Sequence, residues 1–194
     1  MPKKFTIAIL ASGGGTDAPP IIEMCRKEGI DIACILSNKD NNGALEKAKQ
    51  YQVEGIFLDP VGKTREEYDR ETVKILKDKN VDLVCLVGYK RIISSYFVKE
   101  YEGRILNVHP SLLPKYGGGM DRNVHQLVLD NGEKETGMTI HLVTEEVDGG
   151  EVLCQKSCLI DPNETVESLR NKVQDLEKKW YPEVVKEFRE RRGS

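Results

Sequence analysis

Short apolar runs alternate with stretches of helical periodicity over the first half of the amino-acid sequence. The five runs cover residues 5–10, 30–36, 55–58, 83–87 and 105–108, and the helical stretches lie at about 21–28, 44–51, 65–79 and 94–101. A continuous apolar run rich in β-branched residues is typical of a strand that is buried on both faces. Because such strands separated by helices form a parallel sheet, we predict an α/β, Rossmann-like fold with helices on both sides of a mostly parallel sheet.

The second half of the sequence predicts a different arrangement. Apolar runs at residues 138–143 and 151–160 are too close together for a crossover helix, so we expect antiparallel C-terminal strands there. The stretch from about residue 165 to 191 has the pattern of a long amphipathic helix, which Pro182 is expected to kink or divide. No repeat or linker interrupts the pattern, and we therefore expect a single domain over residues 1–194.

The charge balance and the cysteines exclude several classes of protein. The 29 basic and 32 acidic residues give a net charge of -3, which does not suit a surface that binds nucleic acid. The sequence has no apolar run of about 18 residues, so no membrane span is expected. Its five cysteines are an odd number without paired metal-ligand spacing, which favours a reducing, cytoplasmic protein without a metal site. The sequence is compatible with a monomer or a homodimer.

A glycine-rich loop follows the first predicted strand, where open parallel sheets bind ligands. It contains Gly13, Gly14 and Gly15, then Thr16 and Asp17 before the first predicted helix. Backbone N–H groups of such a loop and the helix N-terminus can hold a phosphate, although an ordinary tight turn has the same composition. The loop has the spacing of neither a P-loop nor a dinucleotide fingerprint, which argues against a dinucleotide oxidoreductase.

Asn107 and His109 alternate at the end of a predicted strand, so their side chains leave the same face. Pro110 ends the strand and places both at its carboxyl end. An amide donor beside an imidazole suits acyl transfer, because both can bind an oxyanion and the imidazole can also move a proton. The other two histidines, His125 and His141, are interpreted as structural or surface residues.

Asp148 lies in a second segment that could complete this site, between Val147 and Gly149-Gly150. A carboxylate near His109 would favour the protonated imidazole and fix its orientation. Asp-Gly is also typical of a hairpin turn, and spacing alone favours that simpler interpretation.

Two segments carry a specific resemblance: Asn107-Val108-His109-Pro110-Ser111-Leu112-Leu113-Pro114 and Val147-Asp148-Gly149-Gly150. Further matching segments lie at residues 37–39, 88–93 and 132–137, in the expected order. From the first strand to about Pro182, the chain resembles the phosphoribosylglycinamide formyltransferases, the folate-dependent transformylases of purine synthesis. The resemblance implies transfer of the formyl group of 10-formyltetrahydrofolate to the amine of glycinamide ribonucleotide, without a metal.

The resemblance also implies roles for individual residues. Asn107, protonated His109 and Asp148 would be the catalytic residues. The nucleotide would be held mainly by the N-terminal half, with folate and the catalytic groups on the C-terminal half. The substrate-binding residues implied are Gly15, Thr16, Asp17 and Glu177. The folate-binding residues implied are Arg65, Lys90, Arg91, Ile92, Ile93 and Asn107, with Val98 and Leu106 as apolar walls.

The sequence departs from this family in two loops. The phosphate loop of the family usually continues with Ser-Asn or Thr-Asn, whereas this chain has Thr16-Asp17. Because an aspartate would repel a phosphate, we expect Asp17 to use its backbone N–H or to cap the helix. The loop over residues 117–123 is longer and richer in glycine than is usual, and Arg122 within it is a hypothetical phosphate ligand.

Several other functions stay open at the level of sequence. One is a formyltransferase for another amine, such as a nucleotide-linked sugar or the methionyl group of initiator tRNA. Another is a hydrolase that releases formate from the same folate. A non-catalytic nucleotide-binding module is a third, although such a protein would not need Asn107, His109 and Asp148 together.

Overall fold

The computed structural model describes residues 4–118 and 123–192, and these contain a seven-stranded sheet of order β3-β2-β1-β4-β5-β6-β7. The first five strands pair in parallel, and the last two are antiparallel to their neighbours. The strands are β1 (Thr6–Ala11), β2 (Asp31–Ser37), β3 (Gly55–Phe57), β4 (Leu83–Leu86), β5 (Ile105–His109), β6 (Glu135–Leu142) and β7 (Val152–Leu159). The predicted fold class and the antiparallel C-terminal strands are confirmed.

Helices flank the sheet, and local capping defines several of their ends. The Asn42 and Ser94 side chains each accept a hydrogen bond from the first turn of the helix that follows, and Thr64 forms a capping box with Glu67. Gly29 ends the first helix in the left-handed conformation. The helices are α1 (Ala18–Glu28), α2 (Gly43–Gln50), α3 (Arg65–Asp78), α4 (Ser95–Glu100), α5 (Val124–Asp130) and α6 (Val166–Arg192).

Pro182 lies inside α6 and does not divide it, so that part of the prediction is wrong. Tyr181, Val184 and Val185 on either side of the proline are buried in the core formed with α1 and the central strands. The buried Tyr181 hydroxyl also donates to the carbonyl oxygen atoms of Leu86 and Leu106, at 3.1 and 3.0 Å. Proline cannot form the backbone hydrogen bond expected at this position of the helix. Packing and the hydrogen bonds of Tyr181 compensate for that loss, so the helix continues.

The strand order reverses at β1, which has β2 on one side and β4 on the other. The loops after β1 and β4 therefore leave the sheet side by side in opposite directions, and ligands bind in the crevice between such loops. β5 lies next to β4, with Leu86 opposite Asn107. The topology thus brings the glycine-rich loop, the segment after β4 and the end of β5 to one edge of the sheet.

Candidate active site

A cavity of about 250 Å³ opens at the carboxyl ends of β4 and β5. Apolar side chains such as Leu86, Val108 and Val143 line its wall, together with the polar side chains of Asn107, His109, His141 and Asp148. An apolar cavity with a few convergent polar groups is typical of a small-molecule site. The full lining is Leu86, Gly88, Tyr89, Lys90, Arg91, Ile92, Ile93, Asn107, Val108, His109, Pro110, Val124, His141, Val143, Thr144, Glu145, Val147 and Asp148.

His109 ends β5 and is 6% exposed. Its Nε2 atom lies 3.0 Å from the Tyr116 carbonyl oxygen, and its Nδ1 atom lies 3.4 Å from Oδ2 of Asp148. Burial lowers the pKa of His109, although the Asp148 carboxylate and the Tyr116 carbonyl act in the opposite direction. Burial of the charge therefore opposes the stabilisation by Asp148 and Tyr116, and the protonated His109 that the resemblance implies stays a prediction.

Asp148 occupies the turn between β6 and β7 with a left-handed backbone, at φ 57°. Its pKa is lowered chiefly by the imidazole of His141, whose Nε2 atom lies 3.6 Å from Oδ1, then by the Gly118 N–H, which donates to Oδ2 at 2.9 Å, and by His109. Gly150 allows the turn to close, since a Cβ atom there would lie 1.7 Å from the Leu142 carbonyl oxygen. The turn thus presents an ionised carboxylate to the imidazole of His109.

His141 belongs to this cluster, and its interpretation as a structural or surface residue is wrong. It stands opposite Asn107 in the antiparallel pairing of β5 and β6. Its Nδ1 atom lies 2.9 Å from the Leu142 carbonyl, while its Nε2 atom faces Nδ2 of Asn107 at 3.2 Å and Oδ1 of Asp148 at 3.6 Å. His141 therefore contacts both the amide and the carboxylate of the predicted catalytic group.

The segment after β4 forms one side of the cavity through Lys90, Arg91, Ile92 and Ile93, and their role in binding folate stays a prediction. The guanidinium of Arg91 stacks over the Tyr68 ring at 4.1 Å, so this side chain anchors the segment to α3. Ile92 is exposed at the cavity and offers an apolar contact to a ligand. The segment is therefore a shaped wall for an apolar ligand rather than a cluster of free charges.

Three residues assigned to the folate side do not line this cavity. Arg65 is exposed at the start of α3, and its role stays a prediction. Leu106 is buried in the core and Val98 is buried on α4, and neither lines the cavity, so the expectation that they wall the ligand is wrong. Leu86, Val108 and Val143 supply apolar surface in their place.

Ser12 connects the two sides of the crevice, and sequence reasoning did not identify it. Its hydroxyl donates to Oδ1 of Asn38 at 2.6 Å and accepts from the Lys90 N–H at 2.7 Å. Its backbone N–H donates to the Gly88 carbonyl at 3.3 Å. These bonds fix the start of the glycine-rich loop to the segment that lines the cavity.

The four residues assigned to the nucleotide lie outside the cavity lining. Gly15 has a φ of 59°, and a Cβ atom there would lie 2.9 Å from Cβ of Ala44, so only glycine fits without strain. Thr16 is exposed in the same loop. Asp17 and Glu177 are buried, at 2% and 7% exposure.

The Asp17 side chain forms no capping hydrogen bond with α1, so the expectation that it caps this helix through its carboxylate is wrong. Its Oδ1 atom is buried without a partner among residues 4–118 and 123–192. Arg122, the hypothetical phosphate ligand, lies outside the described residues.

Two features are absent from the described part of the chain, a metal-binding group and a membrane-spanning helix. It contains no group of three or more His, Cys, Asp or Glu side chains arranged to hold a metal ion. None of its helices combines the length and the apolar character that crossing a membrane requires.

Comparison with known proteins places the chain in one family. The sequence profile of the family described as Formyl transferase matches residues 5–185. The phosphoribosylglycinamide formyltransferase of Haemophilus influenzae is 39% identical over 189 residues, which are 96% of this chain and 88% of that protein. The trifunctional purine biosynthetic protein adenosine-3 of Gallus gallus is 37% identical over 94% of this chain, which spans 18% of that longer protein. The crystal structure of glycinamide ribonucleotide transformylase 1 from Symbiobacterium toebii superimposes with a TM-score of 0.90 at 33% identity, covering 95% of this chain and 87% of that chain.

Proposed function

The chain belongs to the formyl transferase family, and we propose that it transfers a formyl group from 10-formyltetrahydrofolate to the amine of 5'-phosphoribosylglycinamide. The observation that carries this proposal is the convergence of Asn107, His109 and Asp148 at one end of the cavity. The names of the relatives favour a glycinamide nucleotide over a nucleotide-linked sugar as the acceptor. The reaction belongs to purine biosynthesis in the cytoplasm.

The chemistry follows from what each side chain can donate. The neutral amine of the nucleotide attacks the formyl carbon, and the C=O bond opens to an oxyanion. The Asn107 amide donates to that oxygen, and His109 donates from Nε2 once it is protonated, which the new negative charge favours. The amine loses a proton, the folate nitrogen gains one, and the bond between this nitrogen and the carbon breaks. Asp148 stays ionised throughout, orients the imidazole and stabilises the positive charge of His109 while the proton moves from the amine to the folate nitrogen.

The loop over the catalytic pair must shift during this cycle. The Tyr116 carbonyl lies within hydrogen-bond distance of Nε2 of His109, and the Gly118 N–H donates to Oδ2 of Asp148. The formyl oxygen would take the place of the Tyr116 carbonyl at the imidazole. Closure of such loops commonly excludes water from the reacting groups, which here would suppress hydrolysis of the formyl donor.

The two substrates would approach from different sides of the crevice. The pterin of the folate would enter the apolar cavity along Lys90, Arg91, Ile92 and Ile93, with Arg65 outside it near the folate tail. The nucleotide phosphate would bind at Gly15 and Thr16, where the loop meets the N-terminus of α1. Glu177 lies beside that loop on α6 and suits the nucleotide's polar groups. The reacting amine then lies between the loop and His109.

The proposal can be tested with purified protein, 10-formyltetrahydrofolate and phosphoribosylglycinamide, by following the absorbance change on deformylation. We expect deformylation that depends on the nucleotide and is lost in His109→Ala and Asp148→Ala. Deformylation at an unchanged rate without the nucleotide would instead indicate a hydrolase. No deformylation with the nucleotide present would indicate a different amine acceptor or a binding protein.

A further inference from the structure

Two acidic side chains, Asp17 and Glu177, are buried beside the glycine-rich loop. Asp17 ends the loop and Glu177 comes from α6, which packs on α1. The two carboxyls are close enough for the charge of Asp17 to raise the pKa of Glu177. Because Oδ1 of Asp17 has no hydrogen-bond partner in the described part of the chain, the pair is not neutralised by a network of donors.

The groups that face this pair do not compensate two negative charges. Lys178, on the same helix as Glu177, stabilises both carboxylates only in part, since burial is the larger effect at each. The Tyr181 hydroxyl, one turn further along α6, donates to backbone carbonyls and is uncharged. The Cys85 thiol behind it on β4 is kept uncharged by burial. Lys47, from α2, directs its ammonium to the Gly14 carbonyl at 2.7 Å.

We propose that Asp17 and Glu177 retain a proton at neutral pH, and that losing it as the pH rises weakens binding of the nucleotide phosphate at the glycine-rich loop. The inference rests on the proposed function, because it takes the ligand of this loop to be the phosphate of a glycinamide nucleotide. It explains how an aspartate can stand where a phosphate binds. The protonated pair presents little negative charge to the phosphate.

The electrostatics of the pair support this assignment. Burial raises the pKa of Asp17 to about 7. Burial and the charge of Asp17 raise the pKa of Glu177 well above its ordinary value. The pair therefore loses a proton near or just above neutral pH. A carboxylate formed at the N-terminus of α1 would occupy the positive end of the helix dipole and repel the incoming phosphate.

Asp17→Asn gives the sharpest test, because it keeps the shape of the side chain and removes the titrating group. The dissociation constant of phosphoribosylglycinamide would be measured by calorimetry between pH 6 and pH 9 for the native chain and this variant. The phosphate itself titrates near pH 6, so the pH dependence of binding to Asp17→Asn measures the contribution of the phosphate without that of Asp17. We expect the native chain to lose affinity relative to Asp17→Asn by about tenfold over this range, the order expected for one added charge at a protein surface.

Glu183→Gln serves as the matched control, since it removes an exposed carboxylate from the same helix. Its affinity profile should follow that of the native chain. If nucleotide affinity changed with pH in the same way for the native chain and Asp17→Asn, with clear binding by both, the proposal of a retained proton would be overturned. Absence of nucleotide binding by both at every pH would overturn the proposed function, and with it the part of the inference that concerns the phosphate.

Thermal unfolding tests the proton pair without any ligand. The pKa of Asp17 is raised on folding, so this residue favours the folded state at low pH and that contribution is lost as the pH rises to about 7. The melting temperature of the native chain should therefore fall relative to Asp17→Asn between pH 4 and pH 7. A constant difference between the two melting temperatures would contradict the pair, whatever the calorimetry shows.

Discussion

Asn107 and His109 offer two hydrogen-bond donors to an oxyanion at the end of the cavity. Replacing Asn107 by alanine should lower kcat on the order of 100-fold, because the amide is needed more in the transition state than for binding. The KM values of both substrates should change little. Steady-state kinetics would check this, with Asn171→Ala on the exposed face of α6 as the control. A rise in KM with unchanged kcat would show that Asn107 only binds substrate.

His141 is a positioning residue, because it holds Asn107 and Asp148 without lying on the predicted path of the formyl group. Its imidazole is the largest cause of the lowered pKa of Asp148, so His141→Ala should raise that pKa toward its ordinary value. As the pH is lowered, Asp148 of the variant would then be protonated at a higher pH than in the native chain, and the activity that needs its carboxylate would be lost there. A pH profile of kcat/KM should show the acid limb shifted upward, whereas a uniform loss at all pH values would contradict this role.

Sequence pattern could identify a site residue where its position along a single strand is enough to place its side chain. Asn107 and His109 follow from alternation along a single strand and from the proline that ends it. His141 could not be found in this way, because its contact with Asn107 depends on the register between β5 and β6. Ser12 was missed for a similar reason, since its partners Asn38 and Lys90 come from the loops after two other strands.

The glycine-rich loop works as one element, and its conformation depends on Gly15. Gly15→Ala would place a side chain at positive φ and against Ala44, so it should destabilise the fold by about 1–2 kcal/mol and weaken nucleotide binding. Thermal unfolding and nucleotide titration would check both effects. Gly14→Ala is the control, because the nearest atom to its Cβ is 3.8 Å away. Equal behaviour of the two variants would contradict a special backbone at Gly15.

At the level of elements, hydrophobic pattern was a reliable guide and single breaking residues were not. The strands of the parallel half begin and end within a residue or two of their predicted bounds, and the central strands β1 and β4 are buried on both faces. Pro182 was expected to kink or divide the last helix, yet α6 runs through it. The anchoring of Tyr181 to β4 and β5 is a tertiary effect that local propensity does not contain.

Across the whole molecule, the reversal of strand order at β1 explains why two substrates can meet. The loop after β1 and the segment after β4 leave the sheet side by side, and Ser12 bonds one to the other. His109 lies at the end of β5 next to this crevice, and Asp148 lies beside it in the turn between β6 and β7. The topology therefore places the glycine-rich loop, the apolar cavity and the cluster of Asn107, His109 and Asp148 along one edge of the sheet.

The central claim is that this cluster moves a formyl group to the amine of the nucleotide instead of releasing it to water. The most direct measurement is the fate of a ¹³C-labelled formyl group on the folate, followed by NMR in the presence of phosphoribosylglycinamide. We predict that the label appears in the formamide of the nucleotide, with little labelled formate, and that His109→Ala abolishes the transfer. Labelled formate as the main product, or labelled folate left unchanged by the native chain, would contradict the account.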